Sequence, residues 1–294
     1  MELGFNPQHI AAASLFMLVL GGLLAYVLVV ANRKLWVYED PRIELVEDLL
    51  PHSNCGACGT PGCRPFAEAL IDGQVQPSQC TVNSAEQNLR IADFLGVDAG
   101  ESERLVARLA CSGGNNVARM RAHYAGLESC RAAAAVGDGP KGCSWGCLGM
   151  GDCADVCDFD AIHLNAQDIP VVDAAKCTAC NDCVEICPKD LFSLQPAANR
   201  LWINCRNLQF GDAAEADCEV ACTACERCVM DSPEGLIRID NNLAVIDYSK
   251  NALASKVATE RCPTGAIVWL DERAGVIKGR EAKPIIRQTA LPAA

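Results

Sequence analysis

Aromatic side chains make up 5% of the 294 residues, histidine occurs four times, and the 25 lysines and arginines are outnumbered by 37 aspartates and glutamates. Each shortage excludes something. With so few large rings, the interior has to come from small aliphatics and from whatever the cysteines hold, because aromatics otherwise supply much of a core's buried area. The formal net charge of -12 sets nucleic acid aside as a partner, since phosphate binding relies on lysine and arginine. The histidines are scattered. No Ser-His-Asp, Cys-His or paired-carboxylate arrangement stands out, and there is no G-x-x-x-x-G-K-S/T loop for a nucleotide. Chemistry on an organic substrate is unsupported.

What the chain has instead is cysteine, twenty of them, in short C-x2-C and C-x3-C strings. Disulfide-stapled secreted domains scatter their cysteines differently, so metal ligation is the better reading. The compartment is read from residues 1–34. From Ile10 to Val30 no residue is charged, a run of about 21 residues and roughly 30 Å of helix, enough for one bilayer span. Arg33 and Lys34 follow, which places that end on the cytoplasmic side. A cleaved signal peptide would need a basic leader, and only Glu2 and His9 precede the apolar run. The expectation is a single-pass anchor in the inner (cytoplasmic) membrane, with every cysteine in the reducing cytoplasm.

Residues 35–96 read as a small four-cysteine module. After an amphipathic segment from Tyr38 to Leu50, Cys55, Cys58, Cys63 and Cys80 follow the spacing C-x2-C-x4-C-x16-C, with Gly56, Gly59 and Gly62 interleaved and a helical stretch from Arg64 to Ile71. Four thiolates on glycine-rich turns suit one [4Fe-4S] core, because small residues let backbone N–H groups approach the sulfurs.

The remainder repeats itself. Cys157-Asp158-Phe159-Asp160-Ala161-Ile162 and Cys187-Pro188-Lys189-Asp190-Leu191-Phe192 start 30 residues apart, as do the segments beginning at Ser232 and Cys262, and the two pairs are offset by 75. The spacing predicts two copies of a two-cluster ferredoxin unit over 143–200 and 201–270, joined to the first module by a connecting segment over 97–142 and followed by a basic tail over 271–294. The same offset relates Cys130 to Cys205, Cys143 to Cys218, Cys147 to Cys222 and Cys153 to Cys228. The fold class is α+β: one transmembrane helix, the four-cysteine module, and two tandem βαββαβ ferredoxin-like units, the second degenerate.

In the bacterial pattern C-x2-C-x2-C-x3-C-P, three cysteines hold one cluster and the fourth crosses to the other. Cys177, Cys180 and Cys183 should therefore share a cluster with Cys157, while Cys187 joins Cys147 and Cys153. That second set lacks a ligand, because Met150 stands where a cysteine belongs; nearby Cys143 is the simplest replacement. In the second unit Cys222, Cys225, Cys228 and Cys262 make one cluster. Its companion has lost all four ligands together, to Ser232, Ala252, Ser255 and Ala258. The expectation there is a filled, iron-free site. Four clusters are accounted for, and Cys111, Cys130, Cys205 and Cys218 suffice for a fifth or are free thiols. Zinc is the competing metal, but the crossed spacing with C-P is more specific to iron-sulfur. His52 reads as a turn residue rather than a ligand. The tail's Arg273, Lys278, Arg280, Lys283 and Arg287 either steer a partner or are solvated.

Taken together, the span, the group Asn54-Cys55-Gly56-Ala57-Cys58-Gly59-Thr60-Pro61-Gly62-Cys63, the string Gly146-Cys147-Leu148-Gly149-Met150-Gly151-Asp152-Cys153 and the repeats resemble the RnfB family, polyferredoxin subunits of ion-translocating ferredoxin:NAD oxidoreductases. The first group alone is also similar to one in corrinoid iron-sulfur proteins; the span and repeats separate the two. The resemblance implies a translocase-class electron-transfer subunit that exchanges electrons with soluble ferredoxin and relays them through [4Fe-4S] clusters to other subunits of the complex. A cluster-based redox sensor and an iron-sulfur enzyme with an open cluster site are the alternatives, the latter hinted at only by the gap at Met150.

Overall fold

The computed structural model describes residues 7–35, 38–101, 103–271 and 274–291. Residues 1–6, among them Glu2, and Arg273 of the basic tail lie outside these. The first element is helix α1 (Pro7–Leu35), with Arg33 and Lys34 in its last turn. Within Ala11–Leu35 the most apolar 18-residue stretch has a mean hydropathy of 2.5 and is 0% buried, so the helix is long and apolar enough to cross a membrane.

Three helices build the next module: α2 (Arg42–Asp48), α3 (Cys63–Ile71) and α4 (Ala85–Leu95). Phe66, Ala67 and Leu70 fall on one face of α3 and pack with Val46, Leu50 and Ile91. Each fully buried large side chain contributes about 1.5–3 kcal/mol. Helix α4 is closed at both ends by its sequence. Ser84 and Gln87 form a reciprocal capping box, and Gly96 ends the helix with a left-handed φ of 67°.

Beyond this module the chain runs twice through the order strand, helix, strand, strand, helix, strand. The first pass is β1 (Leu105–Leu109), α5 (Cys130–Ala135) as an added turn of helix, α6 (Asp152–Asp155), β2 (Ile162–Leu164), β3 (Pro170–Val172), α7 (Asp182–Ile186) and β4 (Phe192–Pro196). The second is β5 (Leu201–Ile203), α8 (Gly211–Asp217) as an added helix, α9 (Arg227–Met230), β6 (Ile237–Asp240), β7 (Leu243–Ile246), α10 (Val257–Glu260) and β8 (Ile267–Asp271), to which β9 (Gly275–Lys278) adds an edge strand. In both passes the outer strands pair antiparallel, β1 with β4 and β5 with β8, and the inner two form a hairpin.

The register corrects one expectation. The connecting segment over 97–142 is not merely a connector, because its Leu105–Leu109 is the outer strand of the first pass, with Leu109 opposite Phe192. Its counterpart is Ile203 opposite Ile267. Phe192 and Ile267 are 75 apart but Leu109 and Ile203 are 94 apart, so the first pass carries 19 extra residues after its first strand. Cys111, two residues beyond β1, is therefore the structural counterpart of Cys205, two residues beyond β5. Cys130 lies in the insertion, and its 75-residue offset from Cys205 is a coincidence of length.

The basic tail straps the two passes together. Lys283 pairs with Glu215, Arg280 with Glu260, and Arg287 with Glu219 while also donating to the Asn116 carbonyl at 2.8 Å. Asn116 belongs to the first pass and Glu219 to the second. These three tail cations are matched within the chain itself.

Candidate metal centres

The cysteine loops owe their shape to pairs of left-handed residues. Gly149 and Gly151, Ala179 and Asn181, and Ala224 and Glu226 all have φ between 55° and 92°. In each pair one residue separates the two: Met150, Cys180 or Cys225. Left-handed backbone is uncommon outside glycine, so its threefold recurrence marks a required turn. It aims successive amides and thiols at one enclosed space. The fourth equivalent pair would be Ala254 and Lys256, whose φ values are -66° and -61°.

Five sets of four thiols result. Cys55, Cys58, Cys63 and Cys80 line one small cavity; Cys157, Cys177, Cys180 and Cys183 a second; Cys222, Cys225, Cys228 and Cys262 a third. A fourth is lined by Cys111, Cys143, Cys205 and Cys218. The last four, Cys130, Cys147, Cys153 and Cys187, are within electrostatic reach of one another: Cys153 feels Cys147, Cys130 and Cys187, and Cys130 feels Cys187. All twenty cysteines fall into one of these sets. His52 is exposed and is not among the residues lining the first cavity.

The placement of Cys143 departs from expectation. It does not join Cys147, Cys153 and Cys187; Cys130 does, and Cys143 lies with Cys111, Cys205 and Cys218. Asp152 is the reason. Its carboxylate accepts from the Cys130 amide at 2.8 Å, the Ser129 hydroxyl at 2.9 Å and the Arg131 amide at 3.3 Å, fixing the start of α5 beside the loop that holds Met150. Burial alone would push this carboxyl up, but these three hydrogen bonds, with one from its own backbone amide, outweigh it and hold the group below its usual range. Met150 itself presents its backbone to Cys130. Hydrogen bonds to a charged acceptor are worth about 1.5–3 kcal/mol each. Replacing Asp152 by Ala should therefore loosen Cys130, and the variant should lose up to about four irons per chain to a chelator that leaves the parent intact, with D152N intermediate. An iron-to-protein ratio after chelation checks this.

The donor set fits iron-sulfur cores. At four of the five sets the thiols ring a small space between them, as a polynuclear core requires. Several amides already point at sulfur. Ala107 donates to Cys177 at 3.4 Å, Leu191 to Cys187 at 3.5 Å, Cys147 to Cys111 at 3.4 Å and Cys222 to Cys205 at 3.2 Å. Burial pushes the Cys147, Cys183, Cys218 and Cys228 thiols up to about 12. Four such thiols cannot ionise together unless a cationic centre compensates them, and bound iron deprotonates its ligands outright.

Contacts between sets give an order. Cys153 and Cys183 share one packed cluster with Cys157, Cys177 and Cys187, linking the set around Cys157 to the set around Cys130. Cys147 lends its amide to Cys111, and Cys222 lends its amide to Cys205, so the set containing Cys111 stands between its two neighbours. It also takes two thiols from each pass.

At the vacated site, Ser232 turns its hydroxyl back to the Val229 carbonyl at 3.1 Å, and Ala258 is buried at 1% exposure in a core with Leu236, Ile237 and Ala244. Tyr248 packs there too, stacks on Trp202 and donates to the Leu201 carbonyl at 3.0 Å. Leu201 corresponds to Ala107, whose amide in the first pass serves Cys177.

Gly137-Asp138-Gly139-Pro140-Lys141-Gly142 has the letters G-x-G-x-x-G, but it follows α5 and opens no helix, so it is no dinucleotide loop. Within it Lys141 is buried at 3% exposure.

Comparison with known proteins places these features in a family. Residues 50–82 match the Fe-S cluster family model FeS. The chain is 39% identical over 249 residues to the B subunit of the Na(+)-translocating ferredoxin:NAD(+) oxidoreductase complex of Acetobacterium woodii, covering 85% of this chain and 74% of that protein. It is 35% identical to the B subunit of the ion-translocating oxidoreductase complex of Methanosarcina acetivorans, over 84% of this chain and 94% of that one. With the B subunit of the proton-translocating ferredoxin:NAD(+) oxidoreductase complex of Clostridium ljungdahlii it shares 36% identity, over 85% and 89%. Identity at this level along most of the length of each protein means that the chain belongs to the family of B subunits of ion-translocating oxidoreductase complexes.

Proposed function

We propose that this chain is the electron-transfer subunit of a membrane-bound ion-translocating ferredoxin:NAD oxidoreductase, and that it holds five [4Fe-4S] clusters. The clusters are ligated by Cys55/Cys58/Cys63/Cys80, Cys157/Cys177/Cys180/Cys183, Cys130/Cys147/Cys153/Cys187, Cys111/Cys143/Cys205/Cys218 and Cys222/Cys225/Cys228/Cys262. The observation that carries this reading is the unbroken succession of four thiol sets through the two ferredoxin-type passes, each in contact with the next. Helix α1 anchors the chain in the cytoplasmic membrane, with the cysteines on the cytoplasmic side. Soluble ferredoxin is the electron partner in solution, and the other subunits of the complex exchange electrons with the chain at the membrane. Cys225, the one exposed cysteine among the described residues, belongs to the set at the end of the succession.

The alternative of an enzyme with an open cluster site loses its only hint, because Cys130 supplies the thiol that Met150 does not. The test is electron uptake by the purified, anaerobic, full-length protein. It should contain about twenty irons, and chemically reduced ferredoxin should bleach its visible absorption. A colourless zinc protein, or an iron-loaded one that ferredoxin cannot reduce, would overturn the proposal.

A further inference from the structure

Lys141 is 3% exposed and lines the cavity of Cys111, Cys143, Cys205 and Cys218. Its ammonium makes one hydrogen bond, to the Gly113 carbonyl at 2.7 Å. Gly113 presses on the same thiols, since a Cβ there would stand 3.0 Å from Cys218 Sγ and 3.7 Å from Cys111 Sγ. None of the ion pairs among the described residues includes Lys141. Its charge acts on Cys143 and Cys218 of this set and on Cys147 of the adjacent one; the carboxylate of Asp217, facing Cys143, acts in the opposite sense. An ammonium is rarely buried without a partner, because losing its hydration is costly. Here the compensating negative charge has to come from the thiolates and the core they hold.

We propose that Lys141 sets the reduction potential of the central cluster, raising it above those of the clusters on either side so that an electron comes to rest between the two ferredoxin-type passes. The inference rests on the ligand assignment proposed above. Reduction adds one electron, taken from the neighbouring reduced cluster or from a titrant such as dithionite, and changes no bond at the lysine. The reduced site is the more negative, so a fixed positive charge in a water-excluded cavity favours it. Hydrogen bonds to the sulfurs act in the same direction. In this set Cys147 donates to Cys111, Cys222 and the Asn207 amide to Cys205, and Asn207 Nδ2 to Cys143 at 3.5 Å, with the Trp145 and Val220 backbones facing Cys143 and Cys218. Burial of the site works the other way, which is why the lysine is needed.

The experiment is an EPR-monitored redox titration of the full-length, cluster-loaded protein in detergent, with iron counted in every sample. The signal that disappears in C205A is that of the central cluster, and in the parent protein it should be the most positive of the five. In K141M and K141Q it should move negative by at least tenfold in the equilibrium constant, about 59 mV for one electron, while K141R stays near the parent value. An unmoved signal in an iron-replete K141M or K141Q, an equal shift in K141R, or a parent signal lying below its neighbours' overturns the role of Lys141. The parent ranking decides the matter even if the lysine variants fail to load. If neither C205A nor C111A loses iron, the ligand assignment itself fails, and this inference fails with it.

Discussion

Replacing Cys130 and Cys143 together by alanine should remove about eight irons per chain, whereas either replacement alone should remove about four. The double variant separates two ligands from one ligand and a spare thiol. Were Cys143 the missing ligand beside Met150, as sequence spacing suggests, Cys130 would be either a spare thiol or a member of the remaining set, and its partners would be Cys111, Cys205 and Cys218. The structure exchanges the two. Cys130 is held by Asp152 next to Cys153 and Cys187, and Cys143 shares a cavity with Cys111 and both second-pass thiols. The companion variants separate the possibilities. C143A should spare the signal that C147A abolishes, and C130A should spare the signal that C218A abolishes. Iron analysis with EPR of each reduced variant checks both statements.

The second large effect is one of failure to gain. Putting cysteine back at Ser232, Ala252, Ser255 and Ala258 should add no iron, although those four positions reproduce the spacing of Cys157, Cys177, Cys180 and Cys183. Thiols alone do not make the site. In the three surviving loops the residues flanking the central position are left-handed; at Ala254 and Lys256 they are not. Re-forming that turn with non-glycine residues costs of order 1–3 kcal/mol per residue. The space has also closed, with Ala258, Leu236 and Ile237 in a continuous core and Tyr248 tied to Trp202 and Leu201. Four added irons per chain in the quadruple variant, measured after reconstitution with iron and sulfide, would show that ligands rather than backbone had been limiting.

Much of this molecule could be read from its letters because cluster chemistry demands fixed residue types at fixed spacing. The sets of Cys55 and Cys157 follow from C-x2-C and C-P alone, as does the loss at Ser232, and the apolar run of α1 needs only a count of charges. What could not be read was anything decided by tertiary contact. The strand over Leu105–Leu109 is short and pairs with Phe192–Pro196, far along the chain, so no local pattern assigns it to its sheet. Cys130 and Cys205 share a 75-residue offset that the insertion produces by chance, and only strand register shows Cys111 to be the true counterpart. The tail's cations were ambiguous because their partners, Glu215, Glu219 and Glu260, are distant in sequence. Lys141 carries no signal either, being one lysine in a glycine-rich turn.

The central set has a further consequence for how this chain holds together. Each pass brings half of its thiols, so neither pass possesses that site on its own, and a core bound there would fasten the passes to each other alongside the tail strap. Metal occupancy and cohesion between the passes would then be coupled equilibria. Oxygen damage at this position would do more than interrupt electron flow; it would loosen the two halves, turning a chemical lesion into a mechanical one.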